Sequence, residues 1–451
     1  MRFTCQQSAF ASAIQNVARA IHPKAIIPIL RCVNLLARTP GSVEVVATDL
    51  QTMVVTTIEA EVEEEGAVAV PCTLLRAYMK TLDAGILTCF DAPSDLSLAL
   101  SVEQDGALAV FKGFDSDEFP ALPACSAGAP LFAVQGEHLV IALQRAVTCA
   151  GKAAYRQDGW DPTEHVLLTV DPTHHRLSCV GTDRHLLSYA HIAFTDMCDP
   201  PAPALRGLLA ADAALKLGAL LPPGPCTVQW DGDRLSVQAG ATTCYVRFSR
   251  NVDVAQYPDY DGLLTAVPEL AVRVERPALL AALKHCAFAV LAQGANETNA
   301  NVHVSAHTLS LRTRAGENTL AAHTLAATPL QGCGASEEVT VELPWRSLVR
   351  LVEVAPGGPL LTLAVCVRQQ TLALLSDSGE SGVLSILENV VAATRPHMGS
   401  EPQAAATRAA IPSSVGSRAQ VTFGSEQDRA TYAPRRIRSA WAGDGNLWEG
   451  V

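Results

Sequence analysis

The 451-residue chain carries 45 Asp and Glu against 33 Lys and Arg, a formal net charge of −12, with 49% hydrophobic and 17% charged residues. That balance predicts a folded chain of roughly two to four domains and excludes a disordered protein. It also excludes a surface coated uniformly with nucleic acid, because phosphate contacts demand basic residues. The opening MRFTCQQSAF holds one Arg and no long apolar run, so no signal peptide is expected. The most apolar windows, such as LLTLAVCV at 360–367, are strand-sized and too short to span a membrane, which predicts a cytoplasmic protein. The 13 cysteines are scattered without C-x₂₋₄-C spacing, so reduced, buried thiols are expected rather than a zinc site or a disulfide framework.

In chain order, SAFASAIQNVARAI (8–21) has helical period, VEVVATDLQTMVVTTIEAEV (43–62) alternates like a hairpin, and CTLLRAYMKTLDAG (72–85) is again helical. The triplet recurs as EHLVIALQRAVTCAG (137–151), HRLSCVGTDRHLLSYAHIAF (175–194) and LAADAALKLGALLPPG (209–224). It recurs once more as RPALLAALKHCAFAV (276–290), HTLSLRTRAGENTLAAHTLA (307–326) and LPWRSLVRLVEVAPGG (343–358). Apolar residues recur on one helical face, as in Leu279, Leu280, Leu283 and Ala287. The second helix of each unit closes on Gly or Pro–Gly. Three copies of one α+β module account for the length, with modules at 1–127, 128–266 and 267–393. Residues 394–451, rich in Ala, Ser, Pro and Gly without periodicity, are expected to form a flexible tail.

Chemical motifs are sparse. Asp183 and His185 lack the nucleophile, metal or pocket that acid–base catalysis needs. His165, His174, His175 and His185 are poor ligands together, since the adjacent pair projects oppositely on a strand. There is no Walker A or GxGxxG segment and no helix-turn-helix or zinc-finger pattern, and aromatics are 5% of residues. A non-catalytic protein without cofactor or metal is expected.

With the triple repeat in view, the chain resembles the bacterial DNA polymerase III β subunit, the DNA sliding clamp family, as a divergent member. The likeness runs over residues 1 to 393 and rests on MRFT, PKAIIPILRCVNLLA (23–37), VVATDLQTMV (45–54), DSDEFPAL (115–122), VGTDRHLLSYA (180–190) and FSRNVDVAQYPDYDGLL (248–264). It implies three clamp-fold domains, each with two helices packed on antiparallel sheets, and two chains closing head-to-tail into a pseudo-six-fold ring. Such a homodimer encircles double-stranded DNA without reading sequence, as a processivity factor in DNA replication associated with the nucleoid. It tethers DNA polymerase and clamp-loader subunits through short linear peptides. The alternative is a specialised paralogue that scaffolds repair, phage or mobile-element partners.

In the family the helices line the hole, so the basic residues on or just after helices are the expected DNA contacts: Arg19, Lys24, Arg76, Lys80, Arg145, Lys152, Lys216, Lys284, Arg346 and Arg350. Lys24 is foremost, because the family carries a basic DNA-contacting residue in that loop. The resemblance also places a peptide pocket between the second and third domains. One wall is Thr182, Arg184, His185, Leu186 and Leu187, where the family reads Thr-Asp-Gly-His-Arg-Leu, so Arg184 replaces Gly and Leu186 replaces Arg. Pro258, Gly262 and Leu263 form a second wall, and Val383, Leu384, Ser385, Ile386 and Leu387 stand where the family has a Met-rich C-terminal run. Leu447–Trp448 in the tail faintly resembles the apolar pair of clamp-binding peptides.

Overall fold

Apolar side chains at helical spacing bury one stripe of each long helix. α1 (Gln7–Val17) buries Phe10, Ala13, Ile14 and Val17, and α2 (Cys72–Met79) buries Cys72, Leu75 and Met79. α3 (Gly136–Cys149) buries Leu139, Leu143 and Ala146, and α4 (Ala211–Leu220) buries Ala213, Ala214 and Leu217. A short α5 (Asp261–Leu264) precedes α6 (Arg276–Gln293), and α7 (Trp345–Glu353) buries Trp345, Leu348, Leu351 and Val352. α2 stops before the sequence period does, because the Thr81 hydroxyl and N–H both donate to the Tyr78 carbonyl and end the helical ladder. Leu209 and Ala210, expected in α4, instead finish the strand Leu205–Ala210. The structure is a computed structural model that describes residues 1–394, apart from 23, 40, 92–98, 124–125, 127, 152–160, 199–203, 265–267, 294–298, 316–318, 331–337, 354, 356–357, 369, 377–382 and 388–390.

The same order of strands around two long helices recurs three times, and the strands assemble into two five-stranded and two nine-stranded antiparallel sheets. Each nine-stranded sheet is a join between consecutive repeats. In one, Thr242–Arg247 pairs with Thr52–Glu59, placing Cys244 opposite Val54, and the Thr56 and Thr242 hydroxyls lie 3.1 Å apart. In the other, Val383–Leu387 pairs with Leu186–Ala193, placing Ile386 opposite Leu187. Among the described residues, the five-stranded sheets end on strands that have no such partner. Ala107–Lys112 of the first repeat holds the topological place of Thr242–Arg247, and Thr319–Ala326 of the third holds that of Thr52–Glu59.

The cores lie between helices and sheets. Phe3, Phe10, Leu35, Leu75, Phe132, Leu143 and Leu168 are buried in one continuous cluster that runs through the first two repeats. α3 lies so close to the strand Arg176–Thr182 that a Cβ on Gly181 would meet the Ala146 carbonyl at 1.8 Å, so only glycine fits there. Ten of the described cysteines are buried. Burial pushes the thiols of Cys5, Cys179 and Cys244 up to about 12, which makes them poor nucleophiles. Among the described residues no helix is long and apolar enough to cross a membrane.

Candidate functional site

The segment Thr182–Leu186 is a tight hairpin turn built by its own side chains. The Thr182 hydroxyl accepts from the Arg184 N–H at 3.0 Å, and Asp183 Oδ1 accepts from the N–H groups of His185 (3.0 Å) and Leu186 (2.7 Å). These bonds force Arg184 to φ +70°, a left-handed conformation that glycine adopts without cost. The first repeat contains the same device. The Thr48 hydroxyl accepts from Leu50 N–H, Asp49 Oδ1 accepts from Gln51 and Thr52 N–H, and Leu50 sits at φ +77°. Replacing Arg184 by Gly is expected to raise stability by about 1 kcal/mol by relieving the left-handed strain. The exposed Arg184–Asp161 contact at 3.5 Å offsets little of that gain. A higher urea midpoint at unchanged slope would register the effect, and an unchanged or lower midpoint would refute it.

The second carboxylate oxygen of each turn reaches the next repeat. Asp49 Oδ2 accepts from Lys216 Nζ on α4 at 2.5 Å, and Asp183 Oδ2 accepts from Arg350 Nη1 on α7 at 2.6 Å. Both pairs are 167 residues apart in sequence, so they are one interaction repeated. Lys216 also bonds Asp212 at 2.8 Å, and Arg350 Nη2 donates to the Thr148 carbonyl at 2.9 Å. Burial pulls the Lys216 ammonium down, but its hydrogen bonds to Asp212 and Asp49 outweigh this and hold it above the ordinary lysine value.

These ties separate the ten expected DNA contacts into groups. The charges of Lys216 and Arg350 are matched by carboxylates at the joins. Arg19 is exposed and donates through Nη1 to the Ala219 carbonyl. Arg145 is half-buried, and burial and the facing Arg276 together pull its guanidinium below the usual value. Lys24, Arg76, Lys80 and Arg346 are exposed and make no ion pair among the described residues. Lys284 is exposed on α6, and Lys152 lies outside the described residues.

At the join of the second and third repeats, Leu187 is buried with Leu167, Val180, Leu208 and Tyr257, and Leu263 packs against this cluster. The Tyr257 hydroxyl donates to the Val180 carbonyl at 3.1 Å. Thr182 and Leu186 are buried, Pro258 is half-buried, and Arg184, His185 and Gly262 are exposed. Strand Val383–Leu387, which includes Leu384, Ser385 and Ile386, is brought beside Leu186–Ala193 by backbone pairing, and its side chains lie outside the described residues. So do Leu447 and Trp448 with the rest of the tail beyond Thr394. The four histidines weighed as ligands are dispersed: His165 is buried beside the Asp161 carbonyl, His174 bonds Asp171 at 2.6 Å, His175 packs on Phe194 and His185 is exposed.

A family profile described as the N-terminal domain of the DNA polymerase III β subunit matches residues 1–123. The β sliding clamp of Synechococcus elongatus is 28% identical over 318 residues, 66% of this chain and 76% of the relative. That of a Synechocystis species is 26% identical over 303 residues, 63% of this chain and 74% of the relative. The crystal structure of the Bacillus subtilis sliding clamp superposes with a TM-score of 0.73, covering 86% of this chain and 98% of the other at 16% identity. The chain is similar in sequence to the β sliding clamps and shares their fold. Its fold is likewise that of the Helicobacter pylori β clamp bound to a DNA ligase peptide, with a TM-score of 0.69 at 14% identity over 86% of this chain and 99% of that one.

Proposed function

We propose that two copies of this clamp-family chain close head-to-tail into a ring around duplex DNA and tether DNA polymerase as a non-catalytic processivity factor. Residues 1–127, 128–266 and 267–393 act as its three domains. The observation that carries the reading is the pair of unmatched strands. Within the chain, the edge strand of each later repeat pairs with the hairpin strand of the repeat before it, twice over. Ala107–Lys112 and Thr319–Ala326 are the two halves of one more such join, and no single chain joins them. Both carry uncovered apolar side chains, with Leu108 57%, Val110 44% and Leu320 58% exposed. Exposed edges of this kind pair readily with another chain.

The exposed cations Lys24, Arg76, Lys80 and Arg346 supply phosphate contacts without base readout, which makes binding weak and salt-sensitive while topology does the holding. Partner proteins enter through short peptides at the join of the second and third repeats, where the partly exposed Leu263 packs on the buried Leu187 and Tyr257. A second reading, a paralogue serving non-replicase partners, is favoured by Arg184 standing at the groove mouth where the family pattern has Gly. Native mass measurement is expected to give twice 47.6 kDa. Loaded protein should stay on nicked circular DNA and leave it when the circle is linearised. A monomer, or equal release from both DNA forms, would refute the ring.

A further inference from the structure

A second groove lies at the join of the first and second repeats, and it repeats the geometry of the first. Its turn, Thr48–Thr52, is built by the same threonine and aspartate bonds as Thr182–Leu186. Phe119 and Pro120 follow a 3₁₀ turn there just as Tyr257 and Pro258 do at the other join. The two differ in what fills them. At this join Leu50, Met53, Pro120 and Tyr245 enclose a cavity of about 220 Å³, with Leu50 51% exposed at its mouth. The charged side chains of its lining are Arg234 and Arg247, both cations, in a chain whose net charge is −12. Asp233 engages Arg234 at 3.4 Å and also accepts from Arg250, while Arg247 is exposed and forms no ion pair among the described residues.

We infer that this groove is a second peptide-docking site, which takes a short segment of a partner protein carrying large apolar side chains next to a carboxylate. The apolar floor accommodates one or two side chains of leucine or phenylalanine size, and the guanidinium of Arg247 meets the acid in a charge-assisted, bidentate geometry. The inference extends the peptide-groove reading to a new place and stands or falls separately from it. A protein with two grooves per chain holds a partner that bears two such segments far more tightly than one that bears a single segment.

The test uses the full chain and the labelled peptide acetyl-Gly-Phe-Leu-Asp-Gly-amide, with a photoreactive benzoyl group on its Phe, beside its Asn counterpart. Cross-links are expected on 48–53 and 120–123. The Asn peptide should bind about tenfold more weakly, as should the Asp peptide on the exposed-site variant Arg247→Glu. Cross-links confined to 182–187 and 257–263 would overturn the second groove while leaving the peptide-groove reading intact. Cross-links on 48–53 that Arg247→Glu does not weaken would also overturn it. So would protection of 48–53 by a second copy of the chain, seen as concentration-dependent hydrogen exchange without peptide.

Discussion

Replacing Leu320 by Asp is expected to leave the chain folded but monomeric. Leu320 is 58% exposed in the single chain, so the substitution removes little packing within it. In a head-to-tail ring the same join occurs twice, and each copy loses about 2 kcal/mol of apolar burial, more if the carboxylate is desolvated. Two joins lose about 4 kcal/mol together, which weakens dimerisation by about a thousandfold. Retention on circular DNA disappears with the ring, while weak binding to short duplexes survives because it depends on Lys24, Arg76, Lys80 and Arg346. Light scattering over a concentration series reads the first effect. A variant that keeps the dimer mass at micromolar concentration would show that Thr319–Ala326 is not the closing edge.

Cutting a tie inside the chain has a different outcome, a loss of stability without a change in mass. Asp183→Ala removes the acceptor for two backbone N–H groups and for Arg350. Asp183 is 19% and Arg350 36% exposed at the side chain, so the pair is only partly withdrawn from water. We expect a cost of about 2 kcal/mol, below the range for a fully buried pair. The more enclosed Asp49–Lys216 pair, at 11% and 16% exposure, should cost about 3 kcal/mol when Asp49 becomes Ala. A double-mutant cycle of Asp183→Ala with Arg350→Ala isolates the tie itself, and a coupling below about 0.5 kcal/mol would show that the contact carries nothing. The lysine tie has a pH signature of definite sign. The folded Lys216 value is raised, so its stabilisation is complete below the unfolded lysine value of about 10.4 and is lost as pH rises through the folded value. The wild-type protein should lose that increment in alkali, and Lys216→Met should not.

Secondary structure was legible wherever a single period dominated. The stripe of Phe10, Ala13, Ile14 and Val17, and the hairpin strands Arg176–Thr182 and Leu186–Ala193, follow directly from apolar spacing. Boundaries were less legible where a side chain intervened, as with Thr81 ending α2, or where an apolar run served two elements, as at Leu209. The candidate site was harder to read because its deciding contacts are long-range. A lysine or arginine on a helix looks the same whether it faces phosphate or a carboxylate 167 residues away. Aligning the repeats supplies the missing signal: each Thr-Asp turn has a base at the same distance downstream, on the second helix of the following repeat. The 1–2 groove escaped notice because Leu50, Pro120 and Tyr245 converge only through strand pairing across the join.

The ion pairs at the joins also bear on the molecule's mechanics. Each internal joint is fastened by a β-ladder, by the continuous covalent chain and by a carboxylate–cation bolt. Such a joint behaves as a stiff weld. In the proposed ring the edges Ala107–Lys112 and Thr319–Ala326 share no backbone link, so a torque on that ring concentrates its strain there. Stiff welds within each chain and softer seams between chains give such a ring a built-in clasp, so it can open for DNA without loosening a domain.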